Sequence, residues 1–192
     1  MDLNKLKIGF ALTGSFCTID KIIPVIETLK EKYAEVIPVF SNTVYETNNR
    51  FNDKDELIAK VEQITNQKII HTITGSEPIG PKKLLDALVI APCTGNTLGK
   101  LSSGITDTPV TMAAKSTLRN KRPVIIAVST NDGLSGSAKN IGALLNYKNI
   151  YFVPFGQDDP FNKETSLVAH FDKIPETLSL ALKGFQIQPM IL

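Results

Sequence analysis

The sequence predicts an α/β fold of three layers, a doubly wound and mostly parallel sheet with helices on both faces. Three observations carry that prediction. Short apolar runs of strand length alternate with stretches of helical spacing along the whole chain. Four of the strands run into polar turns rich in Ser, Thr and Asn, the pattern of loops at the carboxyl edge of a parallel sheet. The 192 residues, 42% hydrophobic, supply the core of one domain spanning residues 1–192, with no internal repeat, linker or low-complexity segment.

Residues 6–12 form the first strand and residues 13–18 the first polar turn. Ile22, Ile23, Ile26, Leu29 and Tyr33 give residues 19–33 a helical face, with Pro24 read into the first turn, where proline is tolerated. Glu35–Phe40 is a second strand ending in Ser41-Asn42-Thr43. Asn52-Asp53 signals the cap of a helix over residues 51–67, whose face is Leu57, Ile58, Val61 and Ile64. Residues 68–73 read as a short strand, residues 74–81 as a Gly/Pro-rich loop and residues 82–85 as a helical turn.

The centre of the chain is residues 88–107, LVIAPCTGNTLGKLSSGITD. An apolar strand over residues 88–91 ends at Pro92, a polar turn follows, and a helix runs from Thr94 to near Gly104. Asp107 or Thr108 caps the next helix, with Pro109 at its first position and Val110, Ala113, Ala114 and Leu118 on its buried face. Residues 123–128 are a strand with a terminal loop over residues 129–133. Residues 135–146 are helical, residues 150–153 a last strand and residues 156–160 a loop. Residues 166–183 read as a helix interrupted before Pro175 and ended by Gly184. The apolar tail, residues 185–192, either packs on a neighbouring copy or closes the chain's own core.

A net charge of +2 points to neither a nucleic-acid nor a membrane partner. Lys115, Arg119, Lys121 and Arg122 read as a solvated face. No apolar stretch reaches the roughly 20 residues of a membrane span, and the N-terminus enters a strand pattern without a signal-peptide cleavage region. The two cysteines, Cys17 and Cys93, each follow a strand, which fits a reducing, cytoplasmic setting. His71 and His170 stand alone and read as structural or exposed, and no metal-ligand cluster is visible.

The chemistry gathers at four strand ends: Thr13-Gly14-Ser15, Ser41-Asn42-Thr43, residues 93–97 and Ser129-Thr130-Asn131. They offer hydroxyls, amides and backbone N–H groups without a cluster of charge. That donor set suits a phosphorylated ligand with a planar, amide-like ring, the phosphate lying at a helix N-terminus. Helix capping alone is the competing account of the same residues. No GxGxxG, GxxxxGK[ST] or GxSxG motif is present. Cys93 and Cys17 read first as small apolar fillers, with a reactive thiol at a helix N-terminus as the alternative. Asp107 and Asp132 read first as caps and second as general bases.

The motifs Ala11-Leu12-Thr13-Gly14-Ser15, Ala91-Pro92-Cys93-Thr94-Gly95-Asn96-Thr97 and Lys100-Leu101-Ser102-Ser103-Gly104-Ile105-Thr106-Asp107 resemble the flavoprotein family of homo-oligomeric FMN-binding proteins. That family includes phosphopantothenoylcysteine decarboxylase, the lantibiotic cysteine decarboxylases and the flavin prenyltransferases. The last two motifs form its P-x-x-x-N-T…K-x-x-x-G-x-x-D pattern. The resemblance, over about residues 5–155, implies a Rossmann-like, flavodoxin-like flavoprotein fold and FMN. It places Thr13, Gly14 and Ser15 along the FMN and Ser41 and Thr43 near its phosphate. Ala91, Cys93, Thr94, Asn96, Thr97, Ser129 and Thr130 complete the cofactor site.

Where the decarboxylases carry P-x-M-N, this chain reads Ser129-Thr130-Asn131, and the prenyltransferases' Arg-Glu pair is missing too. Asp20 and Lys21 occupy the region of a catalytic histidine. Within the family, residues 128–141 and 148–160 are similar to one subunit of a two-subunit oxidoreductase of spore-forming bacteria. That resemblance implies oxidation of a dihydropyridine-type dicarboxylate to pyridine-2,6-dicarboxylate in the mother-cell cytoplasm. It further implies NADP on a separate, nicotinamide-binding partner, and a homo-oligomer, trimer or dodecamer. Ser129, Thr130, Asn131, Ser135, Ser137 and Lys139 are then candidates to hold the dicarboxylate substrate, with Asn131 and Lys139 as the catalytic pair. A stand-alone FMN-dependent decarboxylase and a non-catalytic scaffold on the same fold are the alternatives.

Overall fold

Five parallel strands run in the order β2-β1-β3-β4-β5, the flavodoxin-like order, in a computed structural model that describes residues 5–33, 35–51 and 53–192. They are β1 (Lys7–Leu12), β2 (Glu35–Phe40), β3 (Ala87–Cys93), β4 (Val124–Thr130) and β5 (Ile150–Phe152). All seven residues of β3 and the first six of β4 are buried. Parallel strands covered on both faces need apolar side chains in both directions, which is why these segments read as unbroken apolar runs. Helices α1 (Ile19–Lys32), α3 (Lys54–Thr65) and α8 (Ile174–Ala181) pack together, with α2 (Asn42–Glu46) beside α3. A second group joins α4 (Ile73–Ser76), α5 (Gly95–Ser102), α6 (Pro109–Arg119) and α7 (Ala138–Leu145).

Capping side chains set the helix starts. Ser41, Asp53, Thr72, Thr94 and Thr108 each accept a backbone N–H of the first turn of α2 to α6 respectively. Thr108, rather than Asp107, caps α6, in a reciprocal box with Thr111. Asn52 lies outside the described residues, and Asp53 alone fills the expected cap of α3. Pro24 falls inside α1, past its first turn, on the exposed side, where water can reach the carbonyl that its missing N–H leaves unpaired.

Several elements differ from the sequence reading. Pro92 does not end its strand: β3 runs through it to Cys93, and the pairing with β4 shifts register between Ile90 and Cys93, a bulge where a residue without an N–H is tolerated. Residues 68–73 contribute one bridge, Val39 to Ile70, instead of a strand, and of residues 82–85 the first two end a turn over residues 80–83, with Lys83 left-handed at φ 50°, while Leu84 and Leu85 are irregular.

The largest departure lies near the C-terminus. Residues 166–183 are not one helix: Leu167–Ala169 form β7, antiparallel to both β4 and β6 (Phe155–Gly156), and only residues 174–181 are α-helical. β4 gives its edge to β5 as far as Ile126 and to β7 at Ser129 and Thr130. Beyond Ile126 its free edge demands a hydrogen-bonding partner, and that demand overrides the helical spacing. The tail closes on its own chain. Phe155 N–H donates to Met190 at 3.0 Å and Leu192 N–H to Phe155 at 3.2 Å, and a Cβ at Gly156 would collide with the Leu192 carbonyl. No helix among the described residues is long and apolar enough to cross a membrane.

Candidate functional site

The chain order of the strands reverses between β1 and β3, which opens a crevice at their carboxyl ends. Hydroxyl groups sew the loops there together. Thr13 Oγ1 donates to the Pro92 carbonyl at 2.7 Å and accepts the Thr94 N–H at 3.0 Å, tying β1 to the β3 loop. The Ser15 and Ser129 hydroxyls share a hydrogen bond of 2.8 Å, tying β1 to β4. Thr18 Oγ1 donates to the Ser15 carbonyl at 2.8 Å. Thr13 and Ser129 are buried, so each of these bonds also removes the cost of a buried polar group.

The same loop starts α5. Thr94 Oγ1 accepts the Thr97 N–H, and the Leu98 N–H goes to the Thr94 carbonyl. The N–H groups of Gly95 and Asn96 precede the first intrahelical bond and remain open donors. Beside them stands Asp132. Its carboxylate accepts the Thr130 hydroxyl at 2.5 Å and the Ser137 hydroxyl at 2.9 Å, while its carbonyl accepts the N–H groups of Ser135 and Ser137. Gly95 packs against this cluster: a Cβ there would lie 2.5 Å from Ser137 Oγ, 2.7 Å from Asp132 Oδ1 and 2.8 Å from Thr130 Oγ1. Glycine at 95 is what lets the β4 loop close on α5.

A cleft of about 930 Å³ opens on this scaffold. Of the residues expected from sequence, Gly14, Ser15, Thr94, Asn96, Ser129, Thr130 and Asn131 line it. Thr13, Ala91, Cys93 and Thr97 lie buried beneath. Burial pushes the Cys93 thiol far above its usual range, so Cys93 is an inert apolar filler, whereas Cys17 is exposed and lines the cleft. Ser41 caps α2 and Thr43 sits against Gly14, both outside the lining. Lys139 stands exposed on α7, also outside it. Asp107 pairs with Lys100 at 2.7 Å, which holds its carboxyl below the usual carboxylate range. His71 stacks on Tyr45 at 3.7 Å. His170, exposed, precedes a single 3₁₀ turn instead of lying in a helix.

The sequence reading missed the rest of the lining. Arg50 and Phe51 come from the loop between α2 and α3, and Asp158, Lys163 and Ser166 from the loop between β6 and β7. The Arg50 guanidinium lies 4.7 Å from the Phe51 ring centre, and Lys163 Nζ lies 3.0 Å from Asp158. Burial pushes the Asp158 carboxyl up, but Ser166 and Lys163 outweigh it and leave it below the usual range. Among the described residues no cluster of three or more His, Cys, Asp or Glu side chains offers a metal site.

The profile of the flavoprotein family matches residues 1–174. The chain belongs to the flavoprotein family. This flavoprotein is 48% identical over 189 residues to the B subunit of dipicolinate synthase from Bacillus subtilis strain 168, covering 98% of this chain and 94% of that one. Its structure matches the crystal structure of the dipicolinate synthase B subunit from Bacillus halodurans with a TM-score of 0.91 at 46% identity, over 100% of this chain and 98% of the other. The crystal structure of Burkholderia xenovorans DmrB in complex with FMN, described as a cubic protein cage for redox transfer, shares the fold. Its TM-score is 0.69 at 16% identity, over 94% of this flavoprotein and 97% of DmrB.

Proposed function

We propose that this chain is the flavin-fold component of a dipicolinate synthase. With the A subunit of dipicolinate synthase, which binds NADP, it oxidises a dihydrodipicolinate-type precursor to dipicolinate (pyridine-2,6-dicarboxylate). The observation that carries the reading is 48% identity across nearly the whole length of a dipicolinate synthase B subunit. The aromatisation releases a proton and two electrons with a second hydrogen, and the nicotinamide held by the A subunit is their final acceptor. The mother-cell cytoplasm of a sporulating bacterium and a homo-oligomeric assembly, trimer or dodecamer, belong to the same reading. The latter is in keeping with the cage described for DmrB.

FMN is the cofactor that the donor set supports. The open N–H groups of Gly95 and Asn96 and the hydroxyls of Ser15, Thr94, Ser129 and Thr130 line one cleft, and its volume falls within the range of small-molecule sites, roughly 300–1,000 Å³. Gly14, Ser15, Thr94 and Asn96 would hold the flavin there, with Thr13 fixing the two loops to which they belong. Flavin, when bound, supplies a planar two-electron acceptor. Asn131 in the lining orients the substrate through its side-chain amide, while Lys139, outside the lining, is left out of this assignment.

An absorption spectrum of the purified protein, before and after adding FMN and desalting, tests the cofactor. Retained flavin bands that Ser15→Phe removes by filling the cleft are expected, and a protein that stays colourless would overturn it. Dipicolinate formation in a mixture with the A subunit tests the reaction, which should stop when this chain is omitted.

A further inference from the structure

Apart from the flavin donors, the cleft carries charge in one arrangement only. Two cations line it among the described residues, Arg50 and Lys163, together with two carboxylates, Asp132 and Asp158. Both Asp132 oxygens are engaged by the hydroxyls of Thr130 and Ser137. Asp158 accepts from Lys163 at 3.0 Å. Arg50 makes no hydrogen bond or ion pair with another described residue; its contact is the face of Phe51, at 4.7 Å. A guanidinium held over a ring spends none of its N–H groups there, and its N–H fork matches a carboxylate with two parallel bonds.

Lys163 is a different kind of donor. Asp158 takes one of its three ammonium protons and leaves two. Its backbone is fixed by bonds to Asp159 at 2.8 Å and from Ser166 at 2.9 Å, and its ammonium is drawn to the cleft wall by Asp158. The seam across the crevice, in contrast, holds uncharged hydroxyls. A ligand with two carboxylates brought into this cleft must shed water from both, and that loss is offset only where cations replace it. Phe51, 47% exposed, adds a flat apolar surface suited to an aromatic ring.

We propose that Arg50 and Lys163 are the cations that receive the two carboxylates of the planar dicarboxylate substrate, an assignment that rests on the dicarboxylate reading above. Arg50 carries the larger share, because Lys163 is already partly neutralised by Asp158. Lys139, the cation that the sequence offered for this role, lies outside the lining.

The test is calorimetric titration of the full chain, with FMN added and metal ions removed from the buffer, using pyridine-2,6-dicarboxylate and the uncharged pyridine-2,6-dicarboxamide. Arg50→Gln should weaken the dicarboxylate about tenfold or more and Lys163→Gln less. Neither should change the affinity for the dicarboxamide or the amount of FMN retained after desalting. Equal dicarboxylate affinity in the wild type and both variants would overturn the assignment while leaving the dicarboxylate reading intact. Loss of FMN in Arg50→Gln with unchanged dicarboxylate affinity would also overturn it, moving Arg50 to the flavin phosphate. A wild-type chain that binds no dicarboxylate, alone or mixed with the A subunit, would overturn the reading together with the assignment.

Discussion

The cleft has two differently made parts. The crevice between β1, β3 and β4 is held by hydroxyl bonds between segments that lie about 80 to 114 positions apart in the chain, from Thr13 to Pro92 and Thr94 and from Ser15 to Ser129. In the part made by Arg50–Phe51 and the loop from Asp158 to Ser166, Thr165 ties the loop to Asn131 and Leu134, but the two cations are placed by near neighbours in the chain, a ring beneath a guanidinium and an ion pair five residues apart. Breaking the first unpairs buried groups. Breaking the second returns exposed charges to water. Such a difference teaches where each kind of ligand belongs: a resident group on the scaffold that cannot move, a transient one on the side chains that can.

The sharpest way to break the contrast is at Gly95. Gly95→Ala drives a methyl into Thr130, Asp132 and Ser137, and overpacking of this kind costs up to about 3 kcal/mol, roughly 10 °C in Tm for a chain of this size. Thermal unfolding should show that loss, accompanied by loss of added FMN. Thr13→Val keeps the shape but leaves the Pro92 carbonyl and Thr94 N–H unpaired, which should lower stability by about 2 kcal/mol in urea titration.

Cys93 sharpens the comparison through pH. Burial raises its pKa in the folded state, so its contribution is present below the unfolded thiol pKa of about 8.5 and is lost as pH rises above it, where the unfolded thiol ionises and the buried one does not. Between pH 8 and pH 10 the stability advantage of the wild type over Cys93→Ala should shrink by about 1 to 2 kcal/mol, read from urea midpoints. At the small end, Lys163→Gln should leave the thermal midpoint unmoved, because a solvent-exposed ion pair adds little to folding. A drop as large as that of Thr13→Val would erase the distinction between the two parts.

The scaffold was legible in the sequence and the charged wall was not, for physical reasons. β1, β2, β3 and β4 are buried on both faces, so their apolar runs announce them, and Thr94 and Thr108 mark helix starts through local capping bonds. Leu167, Phe171, Ile174 and Leu178 recur at helical spacing and all are buried, yet Leu167 belongs to a strand, because the edge of β4 at Thr130 needed a partner. Arg50 and Lys163 look like any surface cation in a polar loop. Their membership of the cleft depends on segments far away in the chain coming together, which no local pattern encodes.

Thr13 has one more consequence. The seam that it anchors, with Ser15, Thr18, Thr94 and Ser129, contains hydroxyls, carbonyls and amides and no group that titrates in water at ordinary pH. Ions in solution screen charges, and protons neutralise carboxylates, but neither acts on a neutral hydrogen bond between buried partners. The seam should therefore hold β1, β3 and β4 together from dilute to concentrated salt and without a proton-linked step of its own, while what enters the cleft through Arg50 and Lys163 comes and goes with salt.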